Sequence, residues 1–503
     1  MNTTPDRTSA LNGPIAGASR CRRFLCSISI AAGVLLLVHP TQAQDSKTPA
    51  APISHQHVHA GSQSIQLEFP RLGRDQQNAK GPLFSLDQAL KSASENNPTY
   101  RQAEAGVRAA RGRAQQAGLY PNPSVGYSGD EIRGGEIHGG KQGFFVEQRI
   151  ITGGKLSRTR QLMNKDTSLA EIEAEEQKLR VETAVKISFY RVLAAQETAD
   201  SRADLARIAE QVVETQRRLQ NTGQADETEV LADEVEAQRM KLSARMKENT
   251  LREEWRSLAA VLGQPDLPLQ TVAGDLEHGW PELDELQSVE MIAAQSPAIR
   301  IASAAGEHAS AELARANREK VPDITVRAGG EYNNELLNSV PVATGWQGNA
   351  EVGIELPIFN RNQGNIAAAR AEIDRSAAER ERVALTLRER AAAVADQYAN
   401  ARLMAEQYRD NILPLAKKSY GLMSDRYSEM LASYPRVLAS KRKLYELQLE
   451  YITALEDVWT TGLALEGYLL TDGLEAPARP AEMDRAIREI NVPMPERTRA
   501  PGE

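Results

Sequence analysis

Residues 155–220 contain neither glycine nor proline. A helix of that length reaches roughly 100 Å at about 1.5 Å per residue, whereas the average globular helix has only about 11–12 residues. No ordinary domain or bilayer is that thick, so the chain is expected to be built from helical columns rather than around one rounded core. Composition agrees: in 503 residues, aromatic content is 5% and mean hydropathy is −0.47, values that suit long, partly exposed helices.

Just before this run the pattern has a period of two. Phe144, Val146 and Ile150 alternate with Glu147 and Arg149, and the turn Thr152-Gly153-Gly154 follows. Upstream, Val125, Tyr127 and Gly129 alternate with Ser124, Gly126, Ser128 and Asp130. The same passage from strand to long helix occurs again. Ile324, Val326 and Ala328 alternate with Thr325, Arg327 and Glu331. Then Ala350, Val352, Ile354, Leu356 and Ile358 alternate with Glu351, Gly353, Glu355 and Pro357. An alanine-, glutamate- and arginine-rich stretch from Gly364 to about Tyr427 reads as a second long helix. Pairing Pro98 with Pro297, Glu147 with Glu355 and Val230 with Val437 gives offsets of 199, 208 and 207 residues, the mark of an internal duplication.

The expected layout is a first repeat over 81–272, a linker over 273–282 and a second repeat over 283–473. Strands fall near 123–131, 143–151, 323–331 and 350–358, and hairpin helices span 155–262 and 364–470. Each repeat opens with a short helix and a second helix after Asn97-Pro98 or Ser296-Pro297, the first begun by the capping box Ser85-x-x-Gln88. Residues 474–503, charged and proline-containing, read as a disordered C-terminal tail.

Residues 1–43 have the form of a secretory signal: Arg20, Arg22 and Arg23, an apolar stretch over 24–38, and Thr41-Gln42-Ala43 as a cleavage site. Both cysteines, Cys21 and Cys26, lie inside it, so a processed chain has no disulfide, thiolate ligand or cysteine nucleophile. Removing Arg7, Arg20, Arg22, Arg23 and Asp6 takes the formal charge from −8 to −11, unsuited to binding nucleic acid. Residues 44–80 read as a flexible arm in which His55, His57 and His59 are candidate metal ligands, against the plainer reading of a polar tail. No phosphate loop, paired nucleophile and base, or other catalytic constellation stands out, so neither an enzyme nor a bound cofactor is expected.

No later stretch approaches 18 consecutive apolar residues, which argues against a transmembrane helix but not against a β-barrel. Four strands with one greasy face cannot sit in lipid with open edges, so several chains must close the sheet. Three copies supply twelve strands and twelve helical columns. Residues 99–118 and 227–262 can stack end to end beside the long helix 155–220. The expected fold class is mainly α with a small β part, a duplicated helix–strand–strand–long helix–helix unit; a trimeric 12-stranded β-barrel continuous with an α-helical barrel follows as a hypothesis.

This order, with ITGGKL at 151–156, resembles the TolC-type outer-membrane efflux channels. LPIFNRNQGNIAAAR at 356–370 is similar to the version in outer-membrane components of heavy-metal efflux systems of the cobalt-zinc-cadmium and copper-silver kind. The resemblance covers about residues 81–473. It implies a homotrimer in outer-membrane lipid with a periplasmic tunnel, docked to a periplasmic adaptor (membrane fusion protein) and an inner-membrane RND-type pump. The cargo it implies is heavy-metal cations; organic solutes or drugs remain open, and a soluble periplasmic coiled-coil scaffold is the rival reading. It further implies a periplasmic gate at the two helical turns. Gly223-x-x-Asp226-x-x-x-Val230-Leu231 fits the family pattern, and Met430-x-x-Ser433-x-x-x-Val437-Leu438 fits it less well. Gate candidates are Asp226, Thr228 and Glu229 on one turn and Tyr427, Ser433 and Arg436 on the other, with Arg436 hypothesised to pair with Glu229. Glu147, Arg149, Glu351 and Glu355, on the polar side of their strands, are candidates to line the barrel lumen.

Overall fold

The computed structural model describes residues 83–130, 140–336 and 343–475. The signal segment, the arm with His55, His57 and His59, the glycine-rich loop 131–139 and most of the charged tail lie outside the described residues. In chain order the elements are β1 (Leu83–Phe84), α1 (Leu86–Asn96), α2 (Pro98–Ala117), β2 (Ser124–Asp130), β3 (Lys141–Ile150), α3 (Lys155–Asn221) and α4 (Glu227–Val261). They continue as β4 (Thr271–Val272), α5 (Glu285–Gln295), α6 (Pro297–Arg318), β5 (Ile324–Leu336), β6 (Ala343–Ile354) and α7 (Gln363–Gln407). A π-helical turn (Tyr408–Ile412), α8 (Leu413–Ser428) and α9 (Tyr434–Glu466) complete the chain.

The local signals act as their chemistry dictates. The Gln88 backbone N–H donates to Ser85 Oγ at 3.3 Å, and the Ser85 N–H donates back to Gln88 Oε1 at 3.1 Å. Pro98 and Pro297 occupy the first helical position of α2 and α6, where a missing N–H costs nothing. Asn97 and Ser296 cap those helices through the N–H groups of Thr99 (2.9 Å) and Ile299 (3.4 Å). Helix α3 packs against α2, α4, α6 and α9, and its buried residues crowd the middle of its length, where Val181, Val185, Phe189 and Leu193 lie in the main core. Trp255 of α4 and Tyr451, Leu455 and Trp459 of α9 close this core. Tyr190 stacks on Trp459 at 3.7 Å between ring centroids, and Trp459 Nε1 donates to the Leu276 carbonyl at 3.0 Å. Each fully buried large side chain contributes about 1.5–3 kcal/mol of apolar transfer.

Three expectations need correction. Two short strands occur beyond the four expected: β4, at the end of the first repeat, pairs in parallel with β1, and Gln196 of α3 accepts from the Val272 N–H at 3.1 Å. Two-residue strands are too short for any periodic signal. The helix expected from Gly364 to Tyr427 is broken by Pro414, whose ring and missing N–H cannot continue an α-helical ladder, and the π-helical turn absorbs the mismatch. The last strand occupies Ala343–Ile354 rather than 350–358. Pro357 has no N–H to extend it, and residues assigned to the preceding loop pair instead, with Tyr332 and Trp346 in edge contact at 5.7 Å. Glu355 therefore lies just beyond the strand.

The four main strands form one antiparallel sheet in the order β2-β3-β5-β6. The central pair β3–β5 joins the two halves of the sequence.

Candidate functional site

Register decides which side chains share a face, because residues directly opposite one another point the same way. One face carries Val125/Val146/Ala328/Ala350, Tyr127/Phe144 and Ile150/Ile324/Ile354 as cross-strand sets. Most of its large apolar side chains are bare, Val125 and Trp346 each 73% exposed and Val352 67%, while Ile324 and Val326 are half-buried. The opposite face carries Ser124, Glu147, Arg327 and Glu351 in one row across all four strands, with Arg149, Thr325 and Gly353 in another. Glu147, Arg149 and Glu351 thus share the polar face. Arg327, between the two glutamates, was not among the candidates, although its alternation with Val326 and Ala328 was visible.

Among the described residues, Arg327 is in no ion pair. Its guanidinium lies 3.8 Å over the centroid of the Phe145 ring. Small neighbours make the room: a methyl at Gly126 would come within 2.4 Å of Phe145 Cζ, and one at Gly329 within 3.3 Å of its Cβ.

Where the sheet meets the helices, Asp323 holds the corner. It accepts from Arg149 Nη2 at 2.8 Å, the Thr152 N–H at 3.1 Å and Lys155 Nζ at 3.0 Å. Gly153 and Gly154 turn the chain there with φ of +65° and +70°. At the second strand-to-helix corner, Asn362 takes φ of +58° and donates from Nδ2 to the Ala316 carbonyl at 2.8 Å.

The far ends of the helical hairpins are the two turns proposed as a gate. Gly223, at φ +74°, ends α3, and the Gln224 N–H reaches back to the Leu219 carbonyl at 2.9 Å. Met430 takes the same left-handed conformation at φ +61°, and the Leu431 N–H reaches the Arg426 carbonyl at 2.7 Å. Replacement of the glycine has therefore not changed the turn. Thr228 Oγ1 donates to Asp226 Oδ2 at 2.5 Å, and this bond, with backbone N–H groups, holds the Asp226 carboxyl below its usual range. Tyr427 lies 5.4 Å from Tyr434, centroid to centroid, and burial together with that neighbour pushes the Tyr434 hydroxyl up. Ser433 precedes α9 without a side-chain cap bond. Within a single chain, no ion pair joins Arg436 to Glu229. The pairs that lace this end are Arg217–Glu234 at 2.6 Å, Lys241–Glu210 at 2.5 Å and Arg442–Glu236 at 3.6 Å.

No cluster of three or more His, Cys, Asp or Glu side chains suited to a metal ion occurs among the described residues. No described helix is long and apolar enough to cross a membrane, which says nothing of a barrel.

The chain is 23% identical over 404 residues to the cobalt-zinc-cadmium resistance protein CzcC of Cupriavidus metallidurans, covering 80% of this chain and 92% of that protein. In structure it is similar to CusC (TM-score 0.61, 18% identity, 76% of this chain and 91% of the other). It is equally similar to the open state of the Neisseria gonorrhoeae MtrE outer membrane channel (TM-score 0.61, 15% identity, 78% and 90%). The fold is thus that of these channels. The model of one family, described as outer membrane efflux protein, matches twice, over residues 89–264 and 289–469, one match on each half of the duplicated plan. A chain that repeats this unit around a shared four-stranded sheet belongs to the outer membrane efflux protein family.

Proposed function

We propose that three copies of this chain form the outer-membrane exit duct of a tripartite efflux system, passing heavy-metal cations expelled by an inner-membrane RND-type pump through a periplasmic adaptor. The observation that carries this reading is the sheet. It has one bare apolar face, one charged face, and two outer strands, β2 and β6, unpaired within the chain. Joining β6 of each copy to β2 of the next removes every edge and turns the apolar face to lipid. An exposed row on α4, Leu231, Val235, Leu242 and Met246, offers a matching helical contact between neighbours. A soluble scaffold has no use for the bare sheet face.

Heavy-metal cargo is favoured by the likeness to a cobalt-zinc-cadmium resistance protein and by the LPIFNRNQG stretch at 356–364. The two helical turns form the periplasmic gate in this reading, with Tyr427, Thr228, Asp226 and Ser433 at the closing contacts and Arg436 reaching Glu229 of a neighbouring subunit. Exposed ion pairs are worth about 0–1 kcal/mol each, so Arg436→Ala is expected to loosen the closed end, raising conductance and detergent sensitivity, without unfolding the hairpin.

Membrane fractionation, crosslinking and gene deletion test the proposal together. The protein is expected to stay with outer membranes after high-salt washing and to crosslink as a trimer. The deletion strain is expected to lose tolerance to cobalt, zinc, cadmium or copper. A soluble monomer would overturn the channel, and loss of antibiotic tolerance alone would overturn the metal cargo.

A further inference from the structure

We infer that Arg327 sets how tightly the barrel interior holds a passing cation, an inference that rests on the channel reading above. At the level of Glu147 and Glu351, each chain presents two carboxylates with one guanidinium between them on three adjacent strands. Three copies around a closed barrel give a belt of net charge −3. Without Arg327 it would be −6.

Conduction needs a site attractive enough to admit an ion and weak enough to release it. A ring of six unopposed carboxylates would attract multivalent cations strongly and retain them, because their field adds at the axis of a pore with low-dielectric walls. Arg327 halves the net charge at this level.

The geometry indicates that this guanidinium is positioned as a fixed charge. It is flanked by directly opposite carboxylates, yet it lies over Phe145, 3.8 Å from the ring centroid, and pairs with neither. The ring in turn occupies a bay left by Gly126 and Gly329, where a side chain on either would collide with it or with its surroundings. A collapsed salt bridge would neutralise one glutamate and leave the other exposed. The ring instead keeps the positive charge available to both. Arg327 is thus a selectivity-determining residue of the lumen rather than a structural strut.

The test uses the purified full-length protein in planar bilayers, with hexaamminecobalt(III) as a trivalent probe added to each side in turn. Arg327→Gln is expected to lower the half-blocking concentration about tenfold at low salt, an effect that shrinks as ionic strength rises. Arg327→Lys, which keeps the charge, is expected to match the parent. Glu351→Gln is expected to shift the half-blocking concentration upward. Equal block in the parent and Arg327→Gln, or Arg327→Lys behaving like Arg327→Gln, would overturn the inference while leaving the channel intact. If Arg327→Gln does not insert, an unshifted Glu351→Gln overturns it by itself. Failure of the parent protein to form pores would sink the channel reading, and this inference with it.

Discussion

Asp323 ties the two halves of the chain together through one carboxylate. It is almost buried and accepts from Arg149, Lys155 and the Thr152 backbone. Burial pushes its carboxyl up, but the bonds from Lys155, Thr152 and Arg149 outweigh this and hold it below the usual range. Its stabilising contribution is therefore present above the unfolded-state value of about 3.9 and lost as pH falls through the folded value. Asp323→Asn should cost about 2–4 kcal/mol at pH 7, a cost that shrinks as pH falls through the folded value, measured by unfolding in detergent. Glu173 on α3 behaves oppositely. Burial first, and Glu176 second, push its carboxyl up to about 7, and its Oε1 has no partner. The folded state then keeps a proton that the unfolded chain releases above about 4.5, so stability declines between 4.5 and 7 and the penalty is complete above that. Glu173→Gln should stabilise the protein by roughly 2–3 kcal/mol at pH 8 and hardly at all at pH 4. At the turn, Met430 holds a conformation that costs an L-residue about 1–2 kcal/mol. Met430→Gly should therefore raise stability by about 0.5–1 kcal/mol, while Gly223→Ala should lower it by a similar amount; equal melting temperatures for all three proteins would contradict this.

At the scale of elements, the joint between the repeats is the β3–β5 ladder, and it depends on close backbone approach. A methyl on Gly143 would meet the Gly330 carbonyl oxygen at 2.3 Å and Glu331 Cα at 2.6 Å, backbone atoms that cannot step aside. Gly143→Ala is expected to cost at least 1–3 kcal/mol and to open this pairing. The readout is loss of the heat-modifiable oligomer on a gel while helical circular dichroism is retained. Legibility of the elements followed signal length. Sixty-six residues free of glycine and proline announced α3, and period-two alternation announced β2, β3 and β5. The β1–β4 pair left no trace, because two residues carry no period and their pairing is set by the distant Gln196. Pro414 was passed over when Gly364 to Tyr427 was read as one helix, and whether it would kink, bulge or end that helix depended on the packing of α7, α8 and α9.

For the molecule as a whole, the two faces of the sheet make opposite demands on solvent. Val146→Lys puts a charge on the face turned to lipid and should weaken insertion into membranes by about 2–4 kcal/mol if it lies near the bilayer centre. Gln347→Lys, on the opposite face, should insert normally. Insertion efficiency into vesicles, scored by protease protection, separates the two; equal insertion of both would deny that the sheet has a lipid side. The core offers no such contrast, since α3 packs against α2, α4, α6 and α9.

Periodicity, helix-breaking residues and duplicated spacing are local properties of a chain, and they were enough to determine α3, the strands β2, β3 and β5 with their apolar and polar sides, and the repetition of the unit, though not the bounds of β6 or the interruption at Pro414. Register and long-range contact are not local. Only the tertiary structure placed Arg327 between Glu147 and Glu351 and over Phe145, left Glu355 outside the ladder, bound Asp323 to Lys155 across 168 residues of sequence, and kept Met430 in a glycine's conformation. The physical reason is that a strand's alternation says which side chains share a face, while the partner strand alone decides which of them stand side by side.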